Sequence, residues 1–338
     1  MDLKNRHKTV YIILLVMLLL LVGAAALILL FRRGEKAELL EPAETVHSND
    51  AKFFKDKIIA GVDGALTVLD YDGKEAARYP DIRVQWCHSL ESENLIVYGN
   101  DYRQVGILQL DNDYNVTLHN KIYEGENLYI DPTIIKADSS YFVTFTEIIG
   151  AVNNSDPNGE NGEYKLHLYK SEDLENWEEV AVILDNSRNT EDIDIMFEHG
   201  RFEVFYELED YDKGCSSINV ITSKDETGTA WNEPKELLPA DADHEMACIE
   251  KREDGYRIWY SCDKDAPGQS YSAGRIYCAD FEEDLTCRAK DEVLIKRQSE
   301  YDGIGGVRLY DVRQIDGKNY YLYARNYLTD NELRIIIK

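Results

Sequence analysis

One pattern governs what this chain can fold into. Short stretches of alternating apolar and polar residues, separated by Asp-Gly, Asn-Asp and similar turns, come in groups of four and return about every 50 to 60 residues. The first full group is RVQWCHSL, NLIVYGND, QVGILQLD and VTLHNKIYE, within residues 83–124. It returns as DPTIIKAD, SYFVTFTE, YKLHLYKS and WEEVAVILD over 131–185, and then over 192–240 and 245–296. The last copy, 307–338, has only three strands. From Lys57 onward no stretch carries the apolar spacing of a useful amphipathic helix. Such a period is that of an all-β propeller, whose ring closes when a distant strand completes the last blade. The expectation is five blades, with KIIAGVDGALTVLDYDG (57–73) supplying the missing strand. Six follow if the alternation within 57–80 builds a blade of its own.

Ahead of the repeats lies an apolar run, Val10 to Phe31, of 22 residues without a charge. At about 1.5 Å per residue, a helix of that length crosses the roughly 30 Å core of a bilayer. A cleaved signal peptide ending near Ala24-Ala25-Ala26 is the rival reading, but the apolar stretch continues beyond it. The expected organisation is a short cytoplasmic tail (1–9), a transmembrane helix (10–31), a stalk (32–52) and the propeller (53–338) outside the cytoplasm. Lys4, Arg6 and Lys8 on one side balance Arg32, Arg33 and Lys36 on the other. Orientation therefore rests on the shortness of the tail rather than on flanking charge.

The chain as a whole has a formal net charge of −27. A body so acidic repels nucleic-acid phosphates and anionic headgroups, which excludes nucleic acid as a partner. The bilayer is expected to be met only through 10–31. The chain has no P-loop, no G-x-G-x-x-G after a strand and no H-E-x-x-H, so neither cofactor nor metal is expected. The six cysteines include no C-x-x-C. Cys248 and Cys262 flank Asp254-Gly255, and Cys278 and Cys287 flank the turn at Phe281–Asp284. Two cross-strand disulfides, or free thiols buried in strands, both fit this spacing.

In a propeller the first strand of each blade lines the channel, and three consecutive blades open that strand with a carboxylate. These are Asp131 in YIDPTII, Glu191 and Asp192 in TEDIDIM with Asp194 following, and Glu245 in HEMACIE. Long polar loops, 150–163, 210–216 and 263–273, fall on the same face. Converging acids raise one another's pKa, as acid–base chemistry at neutral pH requires. Acids that cap turns in an acidic chain are the bland alternative. Trp86 and Arg308, near the starts of their own inner strands, complete the candidate substrate-binding set with Glu191 and Asp194. His88 and His244 lie near this face and read as packed side chains.

DPTIIKADSSYFVTFTE followed by LYKSEDLENWEEV resembles the Asp-Pro blade and Ser-x-Asp-Leu-x-x-Trp turn of the five-bladed glycoside hydrolases of family 43, with features similar to family 32. The turn is Ser171, Asp173, Leu174 and Trp177, with an echo at Ser223, Asp225 and Trp231. The resemblance covers about residues 81–338 in architecture and 129–240 in motif. It implies a carbohydrate substrate and three catalytic carboxylates: Asp131 as base or orienting residue, Asp192 as tuner of the acid, and Glu245 as acid. The chain departs from the pattern. YDGIGGVRLY offers no Glu where the family 43 register expects the acid. Asp81, the base if Glu245 is the acid, precedes Ile rather than Pro. RVQWCHSL stands where family 32 has Asn-Asp-Pro. Two functions stay open: hydrolysis of a glycosidic bond, or a non-catalytic module binding a glycan or a protein partner at the same face.

Overall fold

A computed structural model describes residues 37–100, 103–150, 162–186, 189–264, 274–293, 306–327 and 329–338. Residues 10–31, and most of the loops at 150–163 and 263–273, lie outside the described residues. Among those described, no helix is long and apolar enough to cross a membrane. Leu39–Ile337 form one compact unit.

That unit is a propeller of six four-stranded antiparallel sheets, not five. The first strand, β1 (Glu38–Leu40), belongs to the last blade. Blade I is β2 (Ala51–Phe54), β3 (Lys57–Val62), β4 (Ala65–Leu69) and β5 (Glu75–Arg83). Blade II is β6 (Trp86–Leu90), β7 (Leu95–Asn100), β8 (Gln104–Leu110) and β9 (Val116–Glu124). Blade III is β10 (Leu128–Ala137), β11 (Ser140–Ile149), β12 (Glu163–Ser171) and β13 (Glu178–Asn186). Blade IV is β14 (Asn189–Glu198), β15 (Arg201–Asp210), β16 (Cys215–Thr222) and β17 (Lys235–Ala242). Blade V is β18 (His244–Arg252), β19 (Gly255–Cys262), β20 (Arg275–Phe281) and β21 (Cys287–Glu292). Blade VI is β22 (Val307–Ile315), β23 (Lys318–Arg325) and β24 (Glu332–Ile337), with β1 outermost.

The blade missing from the five-blade expectation has a physical reason. Its inner strand, AKFF, directly follows a polar stretch with a proline. Its outer strand, EAARYPDIR, is mostly exposed and tolerates Pro80 because it is an edge. The closing strand is thus Glu38–Leu40, inside the segment read as a stalk, while residues 57–69 build blade I. Apolar clusters fill the spaces between blades. Leu95, Val97 and Ile107 of blade II pack on Tyr129, Ile134 and Phe145 of blade III, with Trp177 against them. Burying a side chain the size of Phe145 contributes about 1.5–3 kcal/mol.

The Ser-x-Asp turn acts as a local clamp. Ser171 Oγ accepts the Leu174 N–H at 2.9 Å, and Asp173 Oδ1 accepts those of Glu175 at 2.9 Å and Asn176 at 2.8 Å. The echo in blade IV repeats the device, with Asp225 Oδ1 accepting from Thr227 N at 2.9 Å and Trp231 packed between blades III and IV.

The proposed disulfides are absent: all six cysteines are free. The register explains why. The β18–β19 hairpin turns between Arg252 and Gly255, so Cys248 faces Trp259 and Cys262 faces His244. Across β20–β21, Cys278 faces Asp291, and Cys287 faces Phe281.

Candidate functional site at the channel mouth

Inner strands of a propeller do not pair with one another, so each presents an edge of backbone N–H groups that needs acceptors. Here a side chain from the preceding blade supplies one to each. Asp50 Oδ2 accepts from Cys87 N at 2.7 Å, and His88 Nδ1 from Ile134 N at 3.4 Å. Asp131 Oδ2 accepts from Asp192 N at 2.9 Å, and Asp194 Oδ2 from Ile249 N at 2.9 Å. Ser261 Oγ accepts from Leu309 N at 2.8 Å, and Asp311 Oδ2 from Phe53 N at 2.8 Å, which closes the ring. Two of the predicted site residues, Asp131 and Asp194, therefore join blade to blade.

The register of β10, β14, β18 and β22 shifts at Ile130/Thr133, Glu191/Asp194, Met246/Cys248 and Leu309/Asp311. These irregularities lie where the strands approach the axis. At two of them an aspartate takes a left-handed backbone, with φ 49° at both Asp131 and Asp192. Aspartate tolerates that conformation better than most residues, and bulges re-aim side chains.

At this level the channel holds a cavity of about 70 Å³, room for a few water molecules, with Trp86, Asp131, Asp192, Arg308 and Tyr327 on its walls. A larger cavity of about 330 Å³ lies toward the other end. Lys52, His88 and Asp194 line both. Lys52 Nζ spans the channel to donate to Ala247 O at 3.1 Å and Tyr310 O at 2.6 Å. Burial, helped by nearby Lys52, pushes His88 down to about 3, so it stays neutral. Burial raises Asp194 to about 6.

Arg308 is the hub of the mouth. It donates to Asp192 Oδ1 at 2.5 Å, pairs with Glu245 Oε2, and lies 5.4 Å from the Tyr327 ring centroid. Burial opposes its charge, but Asp192 and other neighbours outweigh that and hold the guanidinium ionised. Two of the acids around it are pushed up. Burial, with Asp192 and Glu191 nearby, drives Asp131 well above the usual carboxylate range. Burial and Asp192 do the same to Glu207.

The structure brings Asp131, Asp192, Glu245, Arg308 and Trp86 to one end of the channel. Glu191 turns aside, accepting from Tyr211 Oη at 2.9 Å and Tyr164 Oη at 3.4 Å. Asp194 sits deeper, beside Lys52. Sequence reading missed Lys52, which lies in the stretch taken for a stalk, and Glu207, which is on a second strand rather than an inner one. A signal for Glu207 was present. In RFEVFYELED, Glu203, Glu207 and Glu209 fall on one face of an otherwise aromatic strand, and all three are buried. His244 is packed, as read, its Nδ1 2.8 Å from Ser216 O.

No protein-family model and no curated protein matches the sequence. Solved structures do match in fold. An α-L-arabinanase from Penicillium chrysogenum, complexed with arabinobiose, aligns over 90% of this chain and 98% of its own, at 12% identity and a TM-score of 0.55. A thermostable family-43 glycoside hydrolase aligns over 88% of this chain and 90% of its own, at 15% identity and a TM-score of 0.51. The chain thus shares the propeller fold of these glycoside hydrolases.

Proposed function

We propose that this propeller recognises a carbohydrate at the mouth of its central channel. In this reading residues 10–31 hold it on a membrane, with the propeller outside the cytoplasm. The observation that carries the reading is the convergence of Asp192 and Glu245 on Arg308, beside Trp86 and Tyr327, at an axial cavity. Carboxylates accept from sugar hydroxyls, a guanidinium donates to them, and aromatic faces pack on the C–H side of a ring. The shared fold with an arabinanase and a family-43 hydrolase supports the same ligand class. Recognition is favoured over cleavage because a carboxylate engaged by a guanidinium has no proton to give, which leaves Glu245 poorly suited as a general acid. Asp131, the matching base, already uses one oxygen to hold the Asp192 N–H.

Hydrolysis is the second reading, favoured by Asp192, the residue read as tuner of the acid, placing a carboxylate oxygen within 4.8 Å of one on Glu245. The full chain, screened against a glycan array and chromogenic glycosides, separates the two. Binding without turnover is expected. Turnover that vanishes in Glu245→Gln would select hydrolysis instead, and neither binding nor turnover would overturn both.

A further inference from the structure

Lys52, the second residue of β2, reaches across the channel to two places where the sheets are irregular. Opposite β19, the register of β18 passes from Met246 to Cys248 and skips Ala247. Opposite β23, that of β22 passes from Leu309 to Asp311 and skips Tyr310. Each skipped residue is the extra one of a bulge, where the ladder is locally interrupted. Lys52 Nζ donates to the carbonyls of both, at 3.1 Å to Ala247 and 2.6 Å to Tyr310. Burial opposes its charge, but Asp50 and Asp311 hold the ammonium ionised. The Tyr310 hydroxyl adds a second tie to the same end of blade I, donating to Ser48 O at 2.8 Å.

These two bulges carry the mouth. Glu245 stands two residues before Ala247, and Arg308 two before Tyr310. Glu245 Oε2 pairs with Arg308, which also donates to Asp192 Oδ1 at 2.5 Å. β18 and β22 belong to different sheets and share no ladder, so backbone pairing does not fix the distance between the bulges. We infer that Lys52 is a positioning residue for the mouth: by gripping both bulges with one ammonium group, it sets the spacing at which Glu245 and Arg308 meet. A bulge decides where the side chains beside it aim, and a strand that slips back into regular pairing turns them to its other face. Loss of the grip therefore parts Glu245 from Arg308 without touching either residue. That this alters ligand binding rests on the carbohydrate reading of the mouth; the placement of the pair does not.

Lys52→Met combined with Asp50→Asn tests the inference. The double change removes the donor but keeps the buried charges balanced, and Asn retains an acceptor for the Cys87 N–H. Lys52→Arg is the conservative counterpart, with the charge and several N–H donors kept. The readout is the nitrogen-15 NMR signal of the Arg308 guanidinium in the full chain, identified by its loss in Arg308→Lys. A guanidinium held by two carboxylates exchanges its N–H protons more slowly than a solvated one. In the double variant the signal should move to the position and exchange rate of a solvated arginine, and in Lys52→Arg it should stay as in the wild type. An unmoved signal in the double variant overturns the inference, because charge balance alone then holds the pair. Should that variant fail to fold, a crystal structure of Lys52→Arg decides. The new side chain should bond both carbonyls with the Glu245–Arg308 pair intact, or leave them with the pair broken; either mixed result overturns the inference. A glycan that the wild-type chain binds on an array should bind the double variant about tenfold or more weakly. A wild-type chain that binds no glycan contradicts the carbohydrate reading alone and leaves the NMR result standing.

Discussion

Arg308 shows how much of this molecule hangs on single residues. Its guanidinium is the counter-charge to two carboxylates that are almost wholly out of water. Removing one partner from a buried ion pair strands the others, at a cost of about 3–5 kcal/mol. Arg308→Met should therefore lower unfolding stability by about that much in urea. Adding Asp192→Asn and Glu245→Gln should recover a good part of it; equal destabilisation in the triple variant would mean the ion pairs are not the cause. A second residue sets a pH dependence. Glu147 Oε2 lies 3.0 Å from His167 Nε2, and His167 Nδ1 lies 3.1 Å from Glu179. The hydrogen bond from His167 holds Glu147 below its ordinary value of 4.5, against the opposing effect of burial. A carboxyl lowered by folding stabilises above its unfolded pKa and loses that contribution as pH falls through the folded value. Unfolding stability should thus drop below about pH 4.5, and Glu147→Gln should flatten that part of the profile.

At the scale of elements, the six inner strands are joined by side chains rather than by backbone ladders. Asp311 makes the closing link to Phe53, and beside it Lys52 is held ionised against burial by Asp50 and Asp311. Asp311→Ala should cost about 1–3 kcal/mol through the orphaned Phe53 N–H, and more if Lys52 loses its counter-charge. Asp311→Asn keeps an acceptor and should cost less. Equal losses in the two variants would argue that charge, not the acceptor, makes the link. These links also explain what sequence could and could not convey about the acids. Their placement on inner strands was legible because strand alternation and blade period fix which residues reach the axis. Their roles were not, since an aspartate that caps the next blade and one that meets a ligand look alike in sequence. Glu207 escaped because attention to inner strands left the second strand unread.

For the whole molecule, the five groups read in the sequence match the sheets of blades II to VI within a few residues, because their turns and aromatic second strands are strongly patterned. Blade I was hidden by a short inner strand and an exposed outer one, and the ring therefore has six blades. The cysteine pairing failed on a shift of hairpin register by a few residues, which no composition reveals. The membrane anchor remains a proposal. A thiol-reactive probe that cannot cross bilayers, applied to intact cells, should label exposed Cys287 if the propeller faces outward; labelling only after lysis would place it inside.

The central claim is that the axial mouth, and not a blade rim or the far end of the channel, meets a carbohydrate. A crystal structure of the chain with its best-binding oligosaccharide tests this most directly. The account predicts sugar hydroxyls within hydrogen-bonding distance of Asp192 or Arg308, with a ring against Trp86. A sugar bound with ordered density anywhere else, the mouth holding only water, would contradict it.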